Sequence, residues 1–194
     1  MCLRCKNSGL DKPPCSCRPP RGGMQRLYGL ANYDGEWRKL LHRLKYHSKP
    51  QLAPDLGRYL GVMLRQNSLF KTPDVVTSIP LHPQKQKERG YNQSLLLARR
   101  LARELETSFQ PLLCRTNNTE SQTSLSRQER LLNVRGVFAL SRRYLQYDLQ
   151  GKSILLVDDI YTTGATMGEA AGVLDEAGAR QVNGAVLAVQ RVRF

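Results

Sequence analysis

Acidic side chains are scarce in this chain: 16 Asp and Glu stand against 30 Lys and Arg, a formal net charge of +14 over 194 residues. That deficit points to an anionic partner. Long apolar runs are missing as well. None approaches the ~18 residues of a membrane-spanning helix, and the first residues, MCLRCKNSG, hold no apolar stretch of the signal-peptide kind. A soluble, cytoplasmic protein is therefore expected. After residue 17 cysteine is all but absent, with Cys114 alone in the remainder. Hydrophobic residues are not scarce: at 40% they argue against wholesale disorder, and the length suits one compact domain plus an appendage.

What is present is unevenly placed. Residues 1–50 carry a net +8, residues 51–150 a net +7 and residues 151–194 a net −1, so the last quarter presents a different chemical surface. Four of the five cysteines, Cys2, Cys5, Cys15 and Cys17, fall within the first 17 residues, a clustering that suggests a metal before disulfides. Residues 1–23 are also rich in Pro and Gly and have little apolar periodicity, so they bury no core unaided. Four thiolates are enough to close a tetrahedral structural zinc site that would order them. The alternative is free thiols. Residues 1–23 are accordingly read as a Cys-rich zinc-binding module and residues 24–194 as the main domain.

Within that domain, Trp37, Leu40, Leu41 and Leu44 share one helical face, and Leu52, Leu56, Tyr59, Leu60 and Met63 another, with Pro50 between them. Two helices thus precede the first clear strand, Asp74 to Ile79, whose Val75-Val76-Thr77 run suits a buried strand. Residues 81–91 read as a polar, basic, solvent-facing loop, with His82 exposed and lacking any partner for nucleophilic catalysis. Asn92 is a candidate N-cap for a helix that buries Leu95, Ala98, Ala102 and Leu105. Strands are expected at Pro111 to Cys114, Val137 to Leu140, Ile154 to Val157 and Val182 to Val189, and a helix buries Met167, Ala170, Leu174 and Ala177 before Gly178. Strand, loop, helix and strand in that order make a βαβ unit, so the sheet should be parallel and the class α/β.

The most specific chemistry lies in Ile154-Leu155-Leu156-Val157-Asp158-Asp159-Ile160-Tyr161-Thr162-Thr163-Gly164-Ala165-Thr166. Two acids at the carboxyl end of a buried strand occupy the place where open α/β sheets bind ligands. The Thr-Thr-Gly-Ala-Thr run that follows offers hydroxyls and backbone N–H groups at a helix start, and Gly164 permits close approach to a phosphate. A single ligand that satisfies both halves has vicinal hydroxyls and a phosphate, as a ribose 5-phosphate does. A capped helix after a core strand, with no ligand, explains neither acid.

This segment resembles the 5-phosphoribosyl 1-pyrophosphate (PRPP) motif of type I phosphoribosyltransferases. Leu44-Lys45-Tyr46, Ile79-Pro80-Leu81-His82-Pro83, Arg89-Gly90-Tyr91-Asn92-Gln93, Gln122, Leu125, Arg130, Asn133, Gly136 and Phe138 resemble the ComF (GntX-like) family of competence-associated proteins. The resemblance spans almost the whole chain. It implies a type I phosphoribosyltransferase-like, Rossmann-like parallel-sheet fold with a small amino-terminal zinc module. It further implies that Asp158, Asp159 and residues 160–166 bind PRPP. In the same way it places the Pro80, Leu81 and His82 backbone near the diphosphate and Arg89 on a mobile loop over it. Residues 115–135 would lie over the reactive carbon of the sugar, and Mg²⁺ would accompany the diphosphate.

Two functions are compatible with these residues. One is a phosphoribosyltransferase acting on a small-molecule acceptor, although no residue stands out as the base that deprotonates one. The other, implied by the family resemblance, is a PRPP-binding protein that handles single-stranded DNA in natural transformation, in contact with a membrane-bound uptake machinery. The net +15 of residues 1–150 exceeds what one diphosphate requires. Tyr28, Tyr33, Trp37 and Tyr46 lie among the basic residues as stacking partners or core. Arg38, Lys39, Arg43 and Lys45 are the candidate DNA contacts and, preceding the sheet, are expected to be independent of the PRPP site.

Overall fold

The computed structural model describes residues 23–46, 49–116 and 136–190. The cysteine module and the stretch holding Gln122, Arg130 and Asn133 lie outside the described residues. Among those described, the elements run β1 (Arg26–Asn32), α1 (Gly35–Tyr46), α2 (Leu52–Arg65), β2 (Val75–Ser78), α3 (Pro83–Arg89), α4 (Gln93–Glu104), β3 (Ser108–Phe109), β4 (Leu113–Arg115), β5 (Phe138–Leu140), β6 (Ser153–Tyr161), α5 (Ala165–Glu176) and β7 (Gln181–Val189). A short 3₁₀ turn, Arg142–Tyr144, precedes β6. None of the described helices is long and apolar enough to cross a membrane.

The central sheet has the order β1-β7-β6-β2-β3, and every pairing is parallel. Its middle strand, β6, is covered on both faces because its apolar run alternates. Ile154 and Leu156 face the layer containing Met167, Ala170, Ala171 and Leu174 of α5. Leu155 and Val157 face the layer containing Leu41 and Leu44 of α1, Leu60 of α2, and Leu97 and Leu101 of α4. The period of two thus builds two cores from one strand.

Glycine sets the distance between α2 and α4. A Cβ on Gly57 would lie 2.8 Å from the Leu97 carbonyl oxygen, and one on Gly61 would lie 2.5 Å from Glu104 Cγ. The buried face of α2 is therefore Ala53, Gly57, Leu60, Gly61 and Leu64. Tyr59 and Met63, expected on the apolar face, are exposed.

Four further expectations are corrected. A strand, β1, precedes both helices; it contains no β-branched residue, and Gly29 lets it approach Val189 of β7, whose Cγ2 would lie 2.5 Å from an added Cβ. Residues 83–89 form a helix rather than a loop: His82 Nδ1 accepts from the Gln84 N–H at 3.2 Å, Pro83 opens the first turn, and Gly90 closes the helix with φ +81°. His82 is buried, not exposed. The expected strand at Pro111 to Cys114 begins at Leu113 and leaves the central sheet, because β4 pairs antiparallel with β5 in a separate two-stranded ribbon.

Candidate functional site

At the carboxyl ends of the parallel strands lies a cleft of about 990 Å³. Its floor is Asp158, Asp159 and Ile160 of β6, one wall is Thr162, Thr163, Ala165 and Thr166, and the opposite wall is Ile79, Pro80, Leu81 and His82 after β2. Arg89 and Lys85 enter from α3, Arg115 from β4, and Arg38, Lys45 and Tyr46 from α1. Of the residues assigned to PRPP, Tyr161 and Gly164 support the cleft rather than line it. The Tyr161 ring packs beneath Gly164, where an added Cβ would meet the phenol oxygen at 2.3 Å, and Gly164 holds φ +84° at the start of α5. Among the described residues no side chain caps this helix, and the Ala165 N–H has only the Thr163 hydroxyl at 3.4 Å. Its first-turn N–H groups and positive dipole end therefore face the cleft between threonine hydroxyls, an arrangement suited to a phosphate.

The two acids are held from the start of α4. Asn92 caps that helix by accepting from the N–H groups of Ser94 and Leu95, and its amide donates to the Ile79 carbonyl at 3.1 Å, tying the helix to the loop after β2. The next two residues reach the acids: the Gln93 amide donates to Asp159 Oδ2 at 2.9 Å, and the Ser94 hydroxyl donates to Asp158 Oδ1 at 2.7 Å. Asp158 Oδ1 also accepts from the Asp159 backbone N–H. Lys45 adds an ion pair to Asp159 Oδ2 at 3.1 Å. Each carboxylate thus commits one oxygen to the protein, and its other oxygen, Asp158 Oδ2 or Asp159 Oδ1, has no partner among the described residues.

Burial, reinforced by the neighbouring Asp159 charge, pushes the Asp158 carboxyl up to about 7 against the opposing effects of Ser94 and Lys45. Burial pulls the Lys45 ammonium down, but the charges of Asp159 and Asp158 overcome it and hold the group above its usual range. Lys85 is depressed by burial and by the nearby Arg115, Arg89 and Lys45 charges. Arg115, which stacks on Phe138 at 5.4 Å, is likewise lowered by burial, and its Nε is buried without a hydrogen-bond partner among the described residues. Lys85 and Arg115 are therefore under-neutralised cations, with the Arg89 charge nearby, that an anion would relieve.

The four cations assigned to one DNA-facing surface do not share one. Arg38 and Lys45 line the cleft, and Lys45 is bound to Asp159, so this pair is not independent of the candidate PRPP site. Lys39 and Arg43 border a separate shallow groove with Glu36, Trp37 and Leu40. Of the four aromatics, Tyr28 belongs to the core, Tyr33 and Trp37 pack against it, and Tyr46 is exposed at the cleft mouth. Reading the sequence alone did not identify Gln93, Ser94 or Arg115 as site residues. A signal existed for the first two, since residues that directly follow an N-cap point toward the strand end their helix meets. Arg115 entered only as the first residue of the stretch 115–135 that the family resemblance placed over the sugar, with no role of its own.

A parallel sheet with acids and a threonine loop at the end of its middle strand defines the type I phosphoribosyltransferase class. Residues 92–193 match the family model described as the phosphoribosyl transferase domain. The DNA utilization protein YhgH of Escherichia coli K12 is 32% identical over 190 residues, covering 94% of this chain and 81% of that protein. Competence protein F of Haemophilus influenzae is 29% identical, with 86% and 74% covered, and competence protein ComFC of Bacillus subtilis is 41% identical over 104 residues, with 54% and 39% covered. Among solved structures, a purine phosphoribosyltransferase from Pyrococcus horikoshii aligns over 87% of this chain and 84% of its own with TM-score 0.44 and 17% identity. The chain belongs to the ComF family of phosphoribosyl transferase-domain proteins.

Proposed function

We propose that this protein binds PRPP in the cleft and handles single-stranded DNA on a separate basic surface, as part of DNA uptake and use in the cytoplasm. The observation that carries the first half is the pair of carboxylate oxygens on Asp158 and Asp159 that have no partner among the described residues, beside a helix start that none of those residues caps. Two such acceptors match the vicinal hydroxyls of a ribose, and Thr162, Thr163 and Thr166, on the turn that Gly164 shapes, match its 5′-phosphate. Lys85, Arg89 and Arg115 then face the diphosphate. A deoxyribose lacks one of the hydroxyls, so the cleft is a poor site for DNA, and the DNA half is assigned to the outer face of α1 around Lys39 and Arg43. The charge excess supports it, as do the names of the relatives, which concern DNA utilization and competence.

With those carboxylate oxygens turned to the sugar, Mg²⁺ would be held chiefly by substrate phosphate and water, and Asp158 and Asp159 would add negative charge that favours the ion. When bound, Mg²⁺ neutralises charge on the departing diphosphate. The protein's own contribution is positioning: the acids fix the sugar, where positive charge develops at the anomeric carbon as its bond to the diphosphate breaks, and the threonine loop anchors the far end. Titration of the protein with PRPP and Mg²⁺ tests binding. Pyrophosphate release in the presence of single-stranded DNA, or of small nucleophiles, separates turnover on either acceptor from binding alone.

A further inference from the structure

Arg89 and Asp159 belong to opposite sides of the cleft, one at the end of α3 and the other in β6, yet one side chain touches both. Gln93 is almost wholly buried. Its Oε1 accepts from Arg89 Nη1, and its Nε2 donates to Asp159 Oδ2 at 2.9 Å. Rotating the amide by half a turn would set its N–H groups against the guanidinium and its oxygen against the carboxylate, so the two charges fix its direction. Lys45 Nζ reaches the same Asp159 oxygen at 3.1 Å. With both donors on Oδ2, Oδ1 is the oxygen offered to the cleft. The surrounding contacts hold this chain in place: the Arg89 guanidinium lies 5.5 Å over the Tyr46 ring, next to Lys45, and the Tyr91 hydroxyl donates to the Leu44 carbonyl in the last turn of α1.

We propose that Gln93 is a positioning residue that couples Arg89, on the diphosphate side, to Asp159, on the sugar side. The inference rests on the ribose-phosphate reading of the cleft and adds a consequence that reading does not contain. Arg89 governs affinity for a sugar phosphate that has no diphosphate at all, and it does so only through Gln93. A ligand that draws Arg89 away releases the amide and, through it, the orientation of Asp159. Occupancy of one end of the cleft is thereby sensed at the other.

The test is a double-mutant cycle on ribose 5-phosphate, read by calorimetry, with melting temperatures confirming that each variant is folded. Wild type binds. Arg89→Met and Gln93→Leu each weaken binding about tenfold, the effect of losing one hydrogen bond to a charged group. The double variant is then no weaker than Gln93→Leu alone. Additive losses, about a hundredfold in the double variant, would overturn the coupling and leave the cleft's assignment intact. Absence of ribose 5-phosphate binding by wild type would overturn the assignment itself and the coupling with it. Should Gln93→Leu fail to fold, Gln93→Glu serves: it keeps an acceptor for Arg89, loses the donor for Asp159, and is expected to bind at least tenfold more weakly. Wild-type affinity in Gln93→Glu would refute the proposal.

Discussion

Replacing Lys45 by Met removes the cation that two adjacent acids share, and the cost follows from the geometry. Nζ stands 3.1 Å from Asp159 Oδ2, with 23% of the lysine side chain and 5% of the aspartate side chain exposed. At an effective dielectric of about 20 the pair attracts by about 5 kcal/mol. Desolvation offsets part of that, and breaking a buried pair costs about 3–5 kcal/mol, with the lower end appropriate to a lysine that still reaches water. In a protein of this size, about 3 kcal/mol lowers the melting temperature by roughly 6–12 °C.

The loss should depend on pH in a definite direction. Asp158 already titrates at about 7, raised by burial and by Asp159, and Lys45 is one of the groups that restrains the rise. A carboxyl raised above its unfolded value makes the folded state bind more protons, so it lowers stability as pH climbs from about 4 to its folded pKa and no further beyond that. Without Lys45 the window extends upward. For each unit that Asp158 rises further, the deficit of Lys45→Met at pH 6 is about 1.4 kcal/mol smaller than at pH 9. Lys45 itself stays protonated throughout this range. Melting curves of both proteins by circular dichroism at pH 6, 7.5 and 9 measure the difference. Equal stability at pH 9 would refute the reasoning and return Lys45 to the status of a surface cation.

The freshly purified, reduced protein should hold close to one zinc per chain by elemental analysis, and Cys5→Ser should lower that content; protein free of zinc would rule the site out. Gly164→Ala forces a left-handed φ on a residue with a Cβ and drives that atom into the Tyr161 ring, so it should cost about 1–3 kcal/mol and weaken PRPP, both visible in melting curves with and without ligand. Single-stranded DNA affinity should fall with salt at a logarithmic slope of about −0.7 per neutralised phosphate. Replacing Lys39 and Arg43 by Gln should flatten that slope by about 1.4 and leave PRPP affinity unchanged; a slope unmoved by both places the DNA elsewhere.

The sequence revealed what lies in one contiguous run. Ile154 to Val157 announce a strand buried on both faces, and the acids and threonines that follow carry their chemistry in adjacent positions. The structure makes them the floor and one wall of a single cleft, with Tyr161 and Gly164 as its support. What stayed hidden was either too polar, too small or too distant. The α3 helix has no apolar face, and its signals are only His82, Pro83 and Gly90 at its ends. In α2 the spacing favoured Tyr59 and Met63 over glycines, whereas Gly57 and Gly61 make the contact with α4 because they are small. β1 has no β-branched residue to mark it. Lys45, Gln93 and Arg115 reach the cleft from α1, α4 and β4, so their meeting with Asp158 and Asp159 is a property of the sheet order and not of any local pattern.

Asp158 and Asp159 are proposed to receive the hydroxyls of a ribose phosphate. Calorimetric titration with PRPP and Mg²⁺ at pH 8, above the Asp158 transition at about 7, tests it most directly when wild type is compared with Asp159→Asn. Asparagine is nearly isosteric with aspartate, so the cleft keeps its shape while the charge is lost. Binding by wild type with at least a tenfold loss in Asp159→Asn is the predicted result. Equal affinity in the two proteins, or no binding by wild type, would contradict it.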